Sequence, residues 1–253
     1  TLFLVSGEPS GDRLGSALMA GLRQLAPEVS FNGVAGPLMQ SQGMESLFPM
    51  EELSIMGIVE VLPKYLHLKR RIRETAQACL NSGAKALITI DSPDFGLRVA
   101  ALVRAADPSI RTIHYVAPSV WAWRAERLQK IYDSADHVLC LFPFEPALLA
   151  QHGIAATFVG HPIAHTIPDQ VDKGPVRTAL VLDANDLVLT LMPGSRQSEI
   201  EHLTPRFVQA AQIMQRQNPA LQFVLPAIPR LLPQLEAMVQ AQGGLPGLLM
   251  LQG

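Results

Sequence analysis

Short, nearly continuous apolar runs alternate along this chain with longer segments of helical period, and that rhythm leaves few folds open. The runs are Leu2 to Ser6, Ser30 to Val34, Ala86 to Asp91, Arg111 to Val116 and His137 to Leu141. Between the first two, Leu14, Ala17, Leu18, Gly21, Leu22 and Leu25 recur on one face of a helix, and Leu97 to Arg104 repeats the pattern later. A strand that is apolar on both faces must be covered on both, and parallel strands need a crossover of about a dozen residues, usually a helix. The expected class is therefore α/β with a parallel sheet between helical layers.

Residues 166 to 186, with Pro168, Gly174, Pro175 and several acidic side chains, interrupt the rhythm and read as a linker. A second unit then begins. Leu187 to Met192 is a strand, Pro193-Gly194-Ser195-Arg196 a tight turn, and Gln197 to Gln217 a helix. Leu221 to Leu225 is a further strand, Leu231 to Gln240 a helix, and Leu248 to Leu251 a last strand. The expected organisation is a Rossmann-like unit over 1–165, the linker over 166–186, and the first part of a second Rossmann-like unit over 187–253. The chain starts in a strand without an initiating Met and stops on a strand with an unpaired edge, so a piece of a longer protein is expected.

Composition narrows the function classes. Net charge is −2, which does not suggest a nucleic-acid surface. The chain is 48% hydrophobic and 17% charged, with a mean hydropathy of +0.21. No uncharged run is apolar throughout the roughly 18 residues that span a bilayer, and no signal-peptide pattern opens the chain. Cys79 and Cys140 have no metal-ligand spacing and read as buried thiols of a reducing compartment. No metal and no cofactor are expected.

Open α/β sheets bind ligands at the carboxyl ends of their strands, so the loops there hold the candidates. The first, Ser6-Gly7-Glu8-Pro9-Ser10-Gly11-Asp12, has two glycines that let the backbone turn and approach a ligand, and Ser10 or Asp12 can cap the next helix. Capping does not explain Glu8. The spacing of a dinucleotide fingerprint is absent. The loop Asp91-Ser92-Pro93-Asp94 offers two carboxylates. Asp94 reads as the cap of the helix near Phe95, and Asp91, at the strand tip, as the general-base candidate. His114 to Arg124 places both tryptophans of the chain, Trp121 and Trp123, beside Ser119 and Arg124 directly after a strand; a packed loop is the alternative. The Gly194-Ser195-Arg196 turn opens a helix, where backbone N–H groups attract phosphate and Arg196 adds a forked cation, with Glu199 following. His114 and His161 are each as readily structural as functional.

Residues 57 to 73 differ in kind. Val59, Val61, Leu62, Tyr65, Leu66 and Leu68 alternate with Lys64, Lys69, Arg70, Arg71 and Arg73. An apolar face bordered by cations suits an anionic lipid surface, and a core helix with a solvated basic face is the alternative.

The strings SGEPSGD, VAGPLMQ, MGIVEVL, IDSPDF, HYVAPSVWAWR, LFPFE, VGHP and LMPGSR, in this order and spacing, resemble the lipid-A-disaccharide synthases over the whole chain. The resemblance implies a twin Rossmann-like glycosyltransferase fold of the GT-B type, its second domain incomplete here, with a cleft between the domains. It implies an inverting β-1,6 transfer from UDP-2,3-diacylglucosamine to 2,3-diacylglucosamine 1-phosphate, releasing UDP, by a cytoplasmic enzyme peripheral to the inner membrane. Asp91 matches the family's essential aspartate and Arg196 its essential second-domain arginine, with Glu8 the other catalytic candidate. Ser10, Gly11, Asp94, Ser119, Trp121, Trp123, Arg124 and His161 are substrate-binding candidates. Gly194, Ser195, Arg196 and Glu199 are those for UDP, and the 57–73 segment meets lipid. A homo-oligomer is compatible with these residues but fixed by none of them. Family members continue past Gly253, where a Gly-Thr-Ala-type loop and a following glutamate of the nucleotide-sugar site lie. Two alternatives stand beside this one: a related UDP-sugar transferase or epimerase with a soluble substrate, and a fragment that binds acyl-sugar lipid without catalysis.

Overall fold

The computed structural model describes residues 1–53, 61–120, 127–195 and 197–252. Its elements in chain order are β1 (Leu2–Ser6), α1 (Pro9–Leu25), β2 (Phe31–Val34), α2 (Pro37–Ser41), α3 (Val61–Asn81), β3 (Ala86–Ile90), α4 (Pro93–Ala106) and β4 (Arg111–Tyr115). There follow α5 (Arg127–Ser134), β5 (His137–Cys140), α6 (Glu145–Ala150), β6 (Ala156–Phe158), α7 (Ile163–Thr166) and α8 (Gly174–Ala179). The last are β7 (Val188–Thr190), α9 (Gln197–Gln217), β8 (Gln222–Ala227), α10 (Leu232–Ala241) and β9 (Leu248–Gln252). The chain divides into two compact units, Thr1–Pro168 and Asp169–Gly253.

In the first unit six parallel strands lie in the order β2-β1-β3-β4-β5-β6. Successive side chains of a strand point to opposite faces, and here both faces are core. Phe3, Val5 and Leu87 pack with Ile72, Ala76 and Cys79 of α3 and with Phe95, Val99 and Val103 of α4. Leu4, Ile88 and Ile90 pack on the other face with Leu14 and Met19 of α1 and Met39 of α2. A third cluster, Val138, Cys140, Ile131 and Leu149, seats α5 and α6. This two-sided burial is why the strands read as apolar runs rather than alternations.

The helical stripe expected along α1 holds only in part. Leu14 is buried and Leu18 and Leu22 are half-buried, but Ala17, Gly21 and Leu25 face solvent. Gly15 and Met19 are buried instead. β6, α2 and α6 have too few residues to leave a period in the sequence.

The second unit is a three-stranded parallel sheet, β7-β8-β9. Ile200, Val208 and Ala211 of α9 and Leu235 and Val239 of α10 cover Phe223 and Leu225 of β8. The 166–186 segment is not featureless. It holds α8, and Arg177 of that helix donates from Nη1 to the carbonyls of Asp183 at 2.7 Å and Asp186 at 3.1 Å.

Candidate functional site

The strand order of the first unit reverses between β1 and β3, since the chain passes from β1 outward to β2 and then returns to β3 on the other side. At such a point the loops leaving the two carboxyl ends diverge and leave a crevice. The two loops are those carrying Glu8 and Ser10, and Asp91 and Ser92. They meet directly: the Ser10 hydroxyl donates to Asp91 Oδ2 at 2.6 Å across 81 residues of sequence. A hydrogen bond to a carboxylate at that length is of the strong, charge-assisted kind.

Small residues permit this approach. A Cβ on Gly7 would lie 2.9 Å from Ser92 Oγ, and one on Gly11 would lie 2.8 Å from Ser6 Oγ and 3.0 Å from the Ile90 carbonyl. Neither glycine has a positive φ. They are needed for close packing of the two loops, not for the turn that the sequence suggested. Neither capping expectation for α1 holds. Its N-cap position is Glu8, with no side-chain cap, and Ser10 is spent on Asp91. Asp12, only 3% exposed, accepts instead from the backbone N–H of Leu38 at 2.9 Å and Met39 at 3.0 Å, fastening the start of α2.

The backbone at this edge is strained. Asp91, Ser92 and Val116 have φ of 54°, 40° and 85°, a region that costs a non-glycine residue about 1–3 kcal/mol. The ladder holds them there, with Asp91 N–H on the Tyr115 carbonyl and Val116 N–H on the Leu139 carbonyl, both at 2.9 Å. Ser92 takes the N-cap position of α4 through its carbonyl, which accepts from Phe95 and Gly96. Asp94, expected as that cap, lies in the first turn and pairs with Arg127 Nη2 at 2.8 Å.

Sequence reasoning gave little weight to His114. It is fully buried on β4, with Nδ1 2.8 Å from Thr89 Oγ1 and no partner for Nε2 among the described residues. Burial pushes its pKa down to about 4 against the opposing pull of the Asp91 charge, so the ring is neutral at pH 7. The only sequence signal was a position near a strand end.

Of the remaining first-unit candidates, those among the described residues lie further out. Ser119 is exposed beyond β4. Trp121, Trp123 and Arg124 lie outside the described residues. His161 follows β6, three strands from β3, and its Nδ1 accepts from the Ile163 N–H at 3.1 Å. On α3, Tyr65 and Leu66 are 41% and 64% exposed, Lys69 stands 4.7 Å from the centre of the Tyr65 ring, and Arg70 and Arg73 are exposed. Leu68, expected at the same surface, packs against the core. Arg71 is engaged internally: it pairs with Glu52 at 2.6 Å and Glu74 at 2.8 Å and lies over Phe48. Arg71 holds the Glu52 carboxyl below the ordinary range, with His67 adding to the effect. Val59 lies outside the described residues, as do the side chains of Val61 and Leu62.

In the second unit, Gly194 has a φ of 134°, and a Cβ there would meet the Glu199 side chain at 2.5 Å. The Glu199 carboxylate reaches back to accept the Ser195 N–H at 3.0 Å. The start of α9 thus accepts an anionic group in its own first turn, as the helix dipole favours. Arg196 lies outside the described residues. Elsewhere, Cys79 and Cys140 are free and buried, and burial pushes both thiols up to about 12. Among the described residues no group of three His, Cys, Asp or Glu side chains could hold a metal ion, and no helix is long and apolar enough to cross a membrane.

Comparison with known proteins bears on both units. A family model described as lipid-A-disaccharide synthetase matches residues 2–245. The lipid-A-disaccharide synthase of Ruegeria pomeroyi is 53% identical over 247 residues, 97% of this chain and 61% of the relative. That of Pseudomonas aeruginosa is 46% identical over 244 residues, 96% of this chain and 64% of the relative. The chain therefore spans less than two thirds of the curated relatives it matches. Among solved structures, a Staphylococcus aureus MnaA–UDP complex matches with a TM-score of 0.66 at 10% identity, over 99% of this chain and 67% of that one. A UDP-GlcNAc 2-epimerase from Neisseria meningitidis, bound to UDP-GlcNAc, matches with a TM-score of 0.63 at 11% identity, over 100% of this chain and 71% of that one. At such identities the likeness shows the fold, two successive Rossmann-like units of which the second is partial. By its family match and by these relatives, the chain belongs to the lipid-A-disaccharide synthetase family.

Proposed function

We propose that the whole protein transfers a diacylglucosamine unit from UDP to the 6-hydroxyl of a diacylglucosamine 1-phosphate with inversion. The observation that carries this reading is the Ser10–Asp91 pair at 2.6 Å, at the point where the sheet order reverses, in a chain of this family. Asp91 takes the proton of the attacking hydroxyl or orients the group that does, and Ser10 holds one of its oxygens so that the other faces the acceptor. Glu8, on the same loop as Ser10, is the second group assigned to the acceptor in this reading. The start of α9, with Ser195 and Arg196, receives the UDP leaving group, Glu199 giving way to the phosphate. The donor, the acceptor and a cytoplasmic inner-membrane surface are the partners, and Tyr65, Leu66, Lys69, Arg70 and Arg73 form the membrane contact. An epimerase acting on a soluble sugar is the weaker reading, because its support is a fold likeness at about a tenth identity.

The test uses the full-length protein with both lipid substrates and follows UDP release and disaccharide formation. A general base contributes about 10²–10⁴-fold, so Asp91→Asn should lose turnover in that range with its unfolding midpoint unchanged. Near-normal turnover would remove Asp91 from the mechanism.

A further inference from the structure

We propose that His114 is a positioning residue for Asp91, its Nε2–H held beneath the carboxylate to orient it when substrate binds. This rests on the reading of Asp91 as the group facing the acceptor hydroxyl. The geometry begins with strand register. Thr89 on β3 is paired with His114 on β4, and Asp91 follows two residues later, just past the end of β3 at Ile90. The ladder continues to Asp91 through its N–H on the Tyr115 carbonyl at 2.9 Å. His114 thus lies one strand over and two residues below the level of Asp91, near enough for the Asp91 charge to act on the ring.

The Thr89 hydroxyl lies 2.8 Å from His114 Nδ1 and 3.4 Å from the Ile113 carbonyl. Taking Thr89 as the donor to Nδ1 puts the proton of a neutral imidazole on Nε2. An N–H dipole on that side is also the one that the Asp91 charge favours. Among the described residues Nε2 is buried with no partner, and a buried donor left unpaired costs about 1–3 kcal/mol. Such a cost is tolerated where the bond completes a site on binding, since catalytic hydrogen bonds are often long before substrate arrives. The Ser92 hydroxyl, next to Asp91, is a second buried polar atom without a partner among the described residues. Both lie at the segment where Asp91, Ser92 and Val116 hold strained backbone. A core histidine serving packing alone accounts for the bond to Thr89 but leaves Nε2 without a partner among the described residues.

The experiment has two arms on the full-length protein. In the first, His114→Phe keeps a ring and removes both nitrogens, and His114→Gln restores a donor. His114→Phe should lower kcat by about tenfold to a hundredfold, the effect of a misplaced reacting group, with KM for the donor little changed. His114→Gln should regain part of the loss. Within Asp91→Asn, His114→Phe should cost nothing more, because residues acting through one another are not additive. Equal losses in both backgrounds, or an unchanged kcat, would overturn the proposal. In the second arm, 15N-labelled histidine reports the ring nitrogens without any turnover. Nε2 should be protonated, Nδ1 not, and the Nε2 signal should shift in Asp91→Asn. A proton on Nδ1, or no shift, would overturn the proposal even if His114→Phe fails to fold. Absence of glycosyl transfer in the wild-type protein would count against the proposed reaction, and the nitrogen signals would still decide the role of His114.

Discussion

Asp12→Asn is a nearly isosteric change that should cost far more than its size suggests. The Asp12 carboxylate lies buried between α1 and α2 and uses both oxygens, Oδ2 for the Leu38 N–H and Oδ1 for the Met39 N–H. A carboxamide keeps one acceptor and turns the other into a donor facing a donor. One bond to a charged acceptor is lost, worth about 1.5–3 kcal/mol, and a buried N–H is left unpaired at a further 1–3 kcal/mol or so. The side chain cannot swing away, because Gly36 brings its backbone against it: a Cβ there would sit 2.5 Å from the Asp12 carboxyl carbon. A net loss of about 3 kcal/mol is expected, and for a unit of this size each kcal/mol moves the midpoint by about 2–4 °C. The first unit should therefore unfold about 6–12 °C lower. Two units need not unfold together, so the assay is calorimetry, with hydrogen exchange assigning each transition to its unit. The second unit's transition should stay in place. An unchanged first transition, or an equal fall in both, would refute the account of Asp12 as the fastening of α2.

His114 also predicts a pH dependence. Its folded pKa of about 4 lies below the ordinary 6.5, so the unfolded chain takes up the proton first as pH falls. Stability is full above pH 6.5 and is lost toward pH 4, by about 3 kcal/mol at 1.36 kcal/mol per unit. His114→Phe should flatten that part of the denaturation profile, and an unaltered slope would contradict the buried neutral ring. Arg196→Ala in the full-length protein should weaken UDP binding by roughly tenfold to a hundredfold, the loss of one charge-assisted contact; unchanged calorimetric affinity would detach this turn from the donor. Tyr65→Ser with Leu66→Ser should reduce binding to vesicles of anionic lipid without lowering the unfolding midpoint, because both side chains are exposed. Binding of the wild type should also weaken with salt, since screening acts over about 8–10 Å. A double variant that unfolds, or that binds as before, would return α3 to the role of an ordinary core helix.

The parts of this protein legible in its sequence are those set by neighbours along the chain. Five strands of the first sheet and three of the second show as short, largely apolar runs, and their bounds shift by no more than two residues in the structure. α9 shows at full length for a local reason: one apolar face, opened by Pro193-Gly194 and closed before Pro219. The loops at the carboxyl strand ends were likewise visible as clusters of glycine, serine and acid. Short elements such as β6 and α6 left no signal, because three to six residues do not complete a period.

Which side chain meets which was decided by strand order. Ser10, Asp12 and Asp94 were each read as caps of the nearest helix, since local capping is what a linear chain displays. The crossover between β1 and β3 instead sets Ser10 on Asp91, the packing of α1 on α2 gives Asp12 to Leu38 and Met39, and the start of α5 gives Asp94 to Arg127. Arg71 looked like one more cation of a basic face until Glu52 engaged it from an adjoining turn. Leu68 and Leu25 depart from their expected roles, one half-buried against the core and one exposed. His114 was the least readable of all. Its meaning comes from Thr89 one strand away and Asp91 two residues beyond it. Periodicity and turn chemistry are local and survive in one dimension, whereas a hydrogen-bond partner is chosen by sheet order and helix packing, which bring residues together across tens of positions.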